Sequence, residues 1–226
     1  MRFRKVLETA LSVPIYESSL RLARIDRRTL NRVTDIESVL AYCGVVTRDQ
    51  VKVHSPRGKS TTVVTSPLPI AAALDLSWNN EGCAALQEGT GPRRICRGLL
   101  MRTGLEEGLL SPMDRDGLWQ RHGVPMFEHL VGLDGELLAW ECETHSGLHI
   151  MEENVVFEHI QGEVLMTSLT VLVRPTIQMR TGWSARIETE PCDCGRPGRR
   201  LMGLRELAPH AALRHRDNRR AVAAHA

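Results

Sequence analysis

Apolar positions in the first fifty residues recur with the 3.6-residue period of a helix that buries one face. The period runs through residues 3–11 and returns in the segment IESVLAYCG, residues 36–44. Asp35 is placed to cap this second segment, and Gly44 is placed to end it. Pro14 follows Val13 and interrupts or ends the first helix. The pattern therefore predicts that residues 1 to about 50 are helical.

From Ser111 onward the pattern changes to one helix followed by short strands. Ser111 is a typical helix start, with proline at the first helical position and Gly123 as the stop. Six strand-like runs follow: VPMFEHLVG, ELLAWECE, GLHIM, VVFEHI, EVLMTSL and SARIE. Gln161 and Gly162 separate two of these runs and predict a β-hairpin, in which the glycine supplies the positive φ.

The middle and the end of the chain give weaker signals. The segment STTVVTS, residues 60–66, predicts a short strand that PLP ends, and residues 70–110 show no clear pattern. We therefore divide the chain into three parts. These are an N-terminal helical and α/β segment (1–110), a β-rich region (111–207) and a basic tail (208–226). The tail is rich in alanine and arginine, which predicts a marginal helix or disorder outside the core.

Length and composition limit the class of protein. A chain of 226 residues, 42% of them hydrophobic, can form one compact domain with a core, or one domain plus an appendage. It has no run of about 18 apolar residues that would span a membrane. Its N-terminus lacks the apolar segment of a signal peptide. We therefore expect a cytoplasmic protein in which the six cysteines stay reduced.

The charge is distributed unevenly. From residue 196 to the end, eight arginines against Glu206 and Asp217 give +6, which leaves −4 for residues 1–195 of a chain with net charge +2. A basic tail is typical of nucleic-acid binding. However, aromatic residues make up only 4% of the chain and its pI is a moderate 8.3, so a nucleic-acid partner is disfavoured.

Four potential metal ligands occur in two short segments of the β-rich region. Cys142 and His149 lie on either side of a turn predicted at Ser146-Gly147, so two adjacent strands can place both side chains together. Cys192 and Cys194 lie in a loop bounded by proline and glycine, where residues two apart can both turn toward one ion. Zinc prefers four cysteine or histidine ligands in a tetrahedron, which this set would fill.

The spacing alone leaves two alternatives open. His145 competes with His149 for the histidine position. The cysteines could also be free thiols, since free cysteine is commonly buried. The sequence around Cys192 and Cys194 is polar for a core segment, which favours a metal. Four filled positions leave none for water, so such a metal would be structural rather than catalytic.

Four segments of the β-rich region, in this order, resemble the phenylacetate–coenzyme A ligase family of adenylate-forming enzymes. They are ECETHSGLHIMEENVVFEHI, GEVLMTSLT, RPTIQMRTG and EPCDCGR. The likeness covers roughly residues 124–204, and ALSVPIYESSL more weakly resembles the family's opening helix. The resemblance implies an α/β (α+β) fold. In that fold, N-terminal helices precede a mixed β-rich region like the later part of an adenylate-forming N-domain. The resemblance also implies that zinc holds this region together through Cys142, His149, Cys192 and Cys194.

The chain departs from the family where ATP is bound. The nearest counterpart of the phosphate loop is SPRGKSTTVV, but the first glycine of a P-loop falls at Val53, and a polar turn is the simpler interpretation. Asp134-Gly135-Glu136 replaces the family's Thr-Glu pair, whose glutamate helps to hold magnesium. Asp134 and Glu136 could hold a metal, although a hairpin turn is simpler. Trp183 stands where an aspartate that holds the ATP ribose is expected, and an indole cannot accept the ribose hydroxyls.

Residues 1–226 contain no counterpart of the family's C-terminal lid with its catalytic lysine, so the resemblance leaves enzymatic activity open. Two hypotheses follow. The first is a zinc-binding, shortened relative that lacks autonomous adenylation and acts through binding to a partner enzyme or an acyl carrier. The second is an AMP-forming acyl- or aryl-CoA ligase component that a partner chain completes. Nucleic-acid binding is a distant third, and we expect no catalytic residues in the first case.

Overall fold

The computed structural model describes residues 2–53, 67, 83–88, 95–105, 110–170 and 174–207. The strand predicted at 60–66, the phosphate-loop candidate and the basic tail lie outside these residues. The described part is a mixed α/β structure with five α-helices, one 3₁₀ helix and two β-sheets. None of its helices is long and apolar enough to cross a membrane.

The described N-terminal residues form short helices, as the periodicity predicts. Their bounds are α1 Arg2–Ala10, α2 Pro14–Leu22, a 3₁₀ helix Leu30–Arg32, α3 Ile36–Leu40 and α4 Arg48–Val53. Val13 is the N-cap of α2 and Pro14 occupies its first turn, so this dipeptide separates two helices. In α1 the apolar stripe Phe3, Val6, Leu7 and Ala10 is fully buried.

The cap predicted at Asp35 is confirmed, but the stop at Gly44 is wrong. The Asp35 carboxylate accepts hydrogen bonds from the backbone amides of Glu37 and Ser38. The helix ends at Leu40, because the following residues form 3₁₀-type hydrogen bonds. The amide of Cys43 donates to the carbonyl of Leu40, three residues back. Gly44 lies beyond this turn, and its amide donates to the Ser19 hydroxyl.

The larger sheet has seven described strands. They are β1 Cys83–Glu88, β2 Ile95–Gly104, β3 Met126–Val131, β4 Leu137–Glu141, β5 Leu148–Ile150, β9 Trp183–Glu188 and β10 Arg200–Glu206. Their order is β1-β2-β3-β4-β5-β10-β9, and β2 and β3 are parallel while the other neighbours are antiparallel. Helix α5, Pro112–His122, makes the crossover between the parallel pair.

The smaller sheet contains the predicted hairpin. Its strands are β6 Val155–Ile160, β7 Glu163–Ser168 and β8 Met179–Arg180, paired in this order. Ile160 is opposite Glu163 across the two-residue turn. Both turn residues have positive φ, 52° at Gln161 and 86° at Gly162, as a type I′ turn requires. The prediction assigned the positive φ to the glycine alone.

Helix α5 has the ends that its sequence predicts. The Ser111 hydroxyl accepts from the Asp114 amide while the Asp114 carboxylate accepts from the Ser111 amide, which makes a capping box. Gly123 ends the helix in the left-handed conformation at φ 63°.

Two apolar clusters form the described core. The larger one joins the N-terminal helices to both sheets, since Phe3, Leu7 and Tyr16 share it with Leu138, Met166 and Leu201. The Tyr16 hydroxyl donates to the carbonyl of Pro175 and accepts from the amide of Ile177. The smaller cluster packs Leu100, Phe127 and Trp140 against Cys142 and Cys192. The cysteine region therefore rests on an apolar base.

Candidate metal centre

The β4–β5 hairpin positions the first two predicted ligands. Cys142 directly follows β4, and His149 lies in β5 opposite Trp140. The connecting turn is closed by the amide of His145, which donates to the carbonyl of Cys142 at 3.0 Å. Gly147, at φ 77°, passes so close to β10 that a Cβ there would lie 2.6 Å from the carbonyl oxygen of Leu201. Glycine is therefore needed at this position.

The loop between β9 and β10 positions the other two ligands. Its turn at Cys192–Gly195 is closed by the amide of Gly195, which donates to the carbonyl of Cys192 at 2.9 Å. Strand β10 pairs with β5, with Arg200 opposite His149, so the loop lies beside the hairpin. Arg200 fixes the two segments together through bonds to the carbonyl of Ser146, at 2.8 Å, and of Glu190, at 3.3 Å.

The four ligand atoms converge on one point. Those of Cys142, His149, Cys192 and Cys194 all lie within 4.8 Å of one another. The sulfurs of Cys142 and Cys192 are 3.8 Å apart, and the Cys194 sulfur is 3.3 Å from Nε2 of His149. A tetrahedral ion with Zn–S bonds near 2.3 Å and Zn–N bonds near 2.0 Å has edges of about 3.8 Å and about 3.5 Å. The arrangement therefore fits a metal ion.

Burial and hydrogen bonding have opposite effects on the ionisation of the thiols. Cys142, His149 and Cys192 are buried and Cys194 is partly buried. Burial raises the pKa of the Cys142 thiol. Burial opposes ionisation of Cys192 too, but hydrogen bonds from the Thr144 hydroxyl and from Cys194 outweigh it and lower the pKa of Cys192 to about 6. A thiol of low pKa supplies the thiolate that metals bind.

Thr144 contacts two of the sulfurs. Its hydroxyl lies 3.1 Å from the Cys142 sulfur and 3.4 Å from the Cys192 sulfur. A hydroxyl in this position can donate to a thiolate and so orient it. Thr144 was not predicted to belong to the site. Its position two residues after Cys142 is the sequence feature that could have indicated it.

An aromatic and ionic layer supports the histidine. The Trp140 ring stacks on His149 at 5.2 Å between centroids, and the Arg196 guanidinium lies 5.3 Å from the Trp140 centroid. Arg196 also forms an ion pair with Glu143, through Nη2 and Oε1 at 2.7 Å. This partner lowers the pKa of Glu143 to about 2.

The rival ligand His145 is turned away from the four ligand atoms. Its Nδ1 lies 3.0 Å from the Glu141 carboxylate, and its ring stacks on Phe127 at 5.3 Å. Glu141 also accepts from Arg115 of α5, at 2.8 Å, and from the amide of Glu128, at 2.9 Å. The hydrogen bond to Glu141 fixes His145 outside the metal group. Arg115 ties α5 to the same hairpin.

Asp134 and Glu136 occupy the β3–β4 turn, in agreement with the prediction of a hairpin turn rather than a metal site. Gly135 has φ 81°, and the Glu136 carboxylate accepts from the amide of Asp134 at 3.1 Å. Asp134 accepts from the amide of Arg174 at 2.8 Å. Burial raises the pKa of Glu136 to about 7. Among the described residues, the candidate metal-binding group consists of Cys142, His149, Cys192 and Cys194, and it does not include Asp134 or Glu136.

Trp183 lies in the hydrophobic core. It is 2% exposed and packs in the larger apolar cluster. The preceding Thr181 hydroxyl donates to the carbonyl of Val164 at 2.7 Å and accepts from the amide of Trp183 at 3.2 Å. No carboxylate stands at this position to accept hydrogen bonds from a ribose.

The described architecture is similar to that of solved structures of an acyl-CoA ligase. A solved structure of 2-hydroxyisobutyryl-CoA ligase with 2-HIB-AMP and CoA, in the thioesterification state, matches 91% of this chain at TM-score 0.58 and 12% identity. The same ligase with 2-HIB-AMP, in the postadenylation state, matches 89% at TM-score 0.52 and 13% identity. This chain spans 66% and 65% of those two chains, respectively. No family model and no curated protein matches it significantly.

The comparison shows a ligase-like fold. Sequence identities of 12% and 13% support a conclusion about the fold and none about function. The finer assignment to the phenylacetate–coenzyme A ligase family stays a prediction, which rests on the order of the sequence segments.

Proposed function

We propose that this chain is a zinc-binding protein with a ligase-like fold, which acts through binding and lacks autonomous adenylation activity. The convergence of four donor atoms within 4.8 Å carries the proposal. Three thiolates and one imidazole in a tetrahedral arrangement favour zinc over harder ions such as magnesium or calcium. Bound zinc would supply folding free energy by linking the β4–β5 hairpin to the β9–β10 loop.

Two features support the absence of adenylation. Trp183 is buried in the core at the position where the resemblance expects a ribose-binding aspartate. Asp134, the nearest candidate for a magnesium ligand, is held by Arg174 at 2.8 Å. Adenylation depends on groups that clamp phosphates, and each lost group costs about 3 kcal/mol of transition-state stabilisation.

A protein of this kind would act by contact with a partner enzyme or with an acyl or aryl carrier. The ligase-like fold favours a second candidate, an acyl- or aryl-CoA ligase component that a partner chain completes. In that case the missing nucleotide groups would come from the partner. The two candidates differ in whether the chain gains activity when a second chain is added.

Metal analysis of the purified protein tests the zinc site. We expect about one zinc per chain, since the four ligands fill one tetrahedron. Cys192→Ser should lose the metal and lower the free energy of unfolding by about 4 kcal/mol or more, as expected when a structural metal is lost. Elemental analysis and urea unfolding measure the two effects.

Cys43→Ser is the matched control, because Cys43 is a free, partly buried thiol outside the ligand group. Burial raises the pKa of Cys43 to about 11, so it is a poor ligand. The control should keep its zinc. Wild-type protein that stays folded with little zinc, or that survives a chelator unchanged, would contradict the proposal.

A further inference from the structure

A groove on the N-terminal helical segment combines arginines with apolar residues in its lining. Its volume is about 400 Å³, and it is bordered by the loop after α2, the 3₁₀ helix and α3. Its lining residues include two arginines, several residues with hydroxyl groups, and the apolar residues Ile25, Val33 and Val39. The lining residues include no aspartate or glutamate. The chemistry of this groove suits an anion with an apolar body.

The two arginines of the lining are Arg24 and Arg32. Both side chains are exposed, and among the described residues neither has a carboxylate within ion-pair distance. Unpaired arginines in a concave surface are suited to phosphate, because the planar guanidinium donates two parallel hydrogen bonds. The neighbouring acid Asp26 is occupied, since its carboxylate accepts from the amides of Arg28 and Thr29 at 2.7 Å each.

The backbone at Arg24 is held in an unfavourable conformation. Arg24 has φ 56°, in the left-handed region that a residue with a Cβ rarely adopts. The turn is a helix stop in which the amide of Ile25 donates to the carbonyl of Leu20 at 2.8 Å, and glycine is usual at this position. An arginine that keeps a position preferred by glycine indicates a role for its side chain.

Hydrogen bonds of Thr29 connect the two ends of the loop. The Thr29 hydroxyl donates to the carbonyl of Arg24 at 2.9 Å and accepts from the amide of Asp26 at 2.9 Å. These bonds hold the loop before any ligand arrives, which reduces the entropy that binding must offset. Tyr42, at the other side of the groove, is 58% exposed and offers a ring against which an aromatic body can stack.

We propose that this groove binds a small organic phosphate: a phosphate monoester, held by Arg24 and Arg32, on an aromatic or apolar body that lies against Tyr42. The site is separate from the metal group and goes beyond the proposed function. An adjacent cavity of 380 Å³ shares Arg24 but contains the carboxylates of Glu17 and Asp26, so it does not share this preference for anions.

Calorimetry with phenyl phosphate as the probe tests the site. The wild-type chain should bind phenyl phosphate about tenfold more tightly than inorganic phosphate, because only the ester has an apolar body. Arg24→Ala and Arg32→Ala should each weaken binding about tenfold, through loss of charge-assisted hydrogen bonds. Tyr42→Ala should weaken the phenyl ester about fivefold and leave inorganic phosphate unchanged.

Arg27→Ala is the matched control, since Arg27 is an exposed arginine of the same loop that does not line the groove. Its affinity should stay within about twofold of wild type. Arg24→Gly separates binding from folding: it relieves the positive φ, so it should raise the melting temperature by about 2 °C while it loses the ligand.

A dissociation constant of ~1 mM marks a weak site. The proposal is overturned if phenyl phosphate does not bind at ~1 mM. Equal losses in Arg27→Ala and Arg24→Ala also overturn it, because they indicate diffuse attraction rather than a site. Sedimentation with phosphatidate vesicles identifies the source of the phosphate. Cosedimentation that needs Arg24 and Arg32 assigns the site to a lipid headgroup, and its absence supports a soluble ester.

Discussion

Thr144 shows how one hydroxyl can link the two halves of the metal site. It lies in the hairpin turn after Cys142, yet it also contacts the sulfur of Cys192 from the opposite loop. The four residues of the candidate metal group were predicted from their spacing and from the resemblance. The role of Thr144 was not predicted, because it exists only once the fold brings residue 192 beside residue 144.

Thr144→Val should weaken zinc binding by about tenfold, because outer hydrogen bonds to ligands typically affect metal affinity by about 10–100-fold. The shape of the side chain is kept, so the fold should be retained. Competition with a chelator of known affinity measures the effect. Thr189→Val, at an exposed threonine of the neighbouring strand end, is the control and should bind as wild type. Equal affinities for the two variants would show that the hydroxyl does not act on the metal.

Glu136 links stability to pH. Burial raises its pKa from the usual 4.5 to about 7, and the nearby Asp134 carboxylate adds to this effect. The folded state therefore holds this proton more tightly than the unfolded state. The contribution of Glu136 to the free energy of unfolding is fully present below pH 4.5 and is lost as the pH rises to about 7. Above that pH the contribution does not change further. The full change is about 3 kcal/mol at most.

Glu136→Gln should remove this contribution, since an amide does not titrate. Urea unfolding of both proteins at several pH values between 4.5 and 8 measures it. The difference between variant and wild type is the relevant quantity, because metal binding changes with pH in both. The variant should gain stability relative to wild type as pH rises, and parallel curves would refute the assignment.

At the scale of elements, the sequence predicts strands well where short apolar runs are bounded by turn residues, and poorly where the ladder is irregular. Strands β3 to β7 and β9 were expected. Strand β10 was missed because only Arg200 and Leu201 are buried in it, and its pairing with β9 shifts between Met202 and Arg205. A β-bulge of this kind breaks the period of two on which a sequence prediction depends.

The turn at Gly147 decides whether β5 and β10 can approach. Gly147→Ala should cost about 3 kcal/mol, from the positive φ and from contact between the new Cβ and the carbonyl of Leu201. Gly123→Ala isolates the first effect, because Gly123 also has positive φ but open space around its Cα. It should cost about 1 kcal/mol. Denaturant unfolding compares the two, and equal costs would show that the approach to β10 is not limiting.

At the scale of the whole molecule, the sheet order could not be derived from the sequence. Strand β2 lies in a stretch without a clear pattern, and it pairs in parallel with β3 across helix α5. Strand β10 returns to pair with β5, some fifty residues earlier in the chain. Such long-range pairings depend on the burial of both faces rather than on local periodicity. The resemblance supplied the ligase-like fold that the local patterns could not.

The ligase-like fold makes adenylation the activity to be tested on the whole chain. With magnesium, ATP and a panel of aryl and acyl carboxylic acids, the metal-loaded protein alone should show no exchange of pyrophosphate into ATP above a heat-inactivated sample. The reason is that Trp183 fills a core position instead of contacting a ribose, and Asp134 is held by Arg174. Exchange by the chain alone would refute the proposed loss of activity. Exchange that appears only with a second chain would favour a ligase completed by a partner, because the missing phosphate-binding groups must then come from that chain.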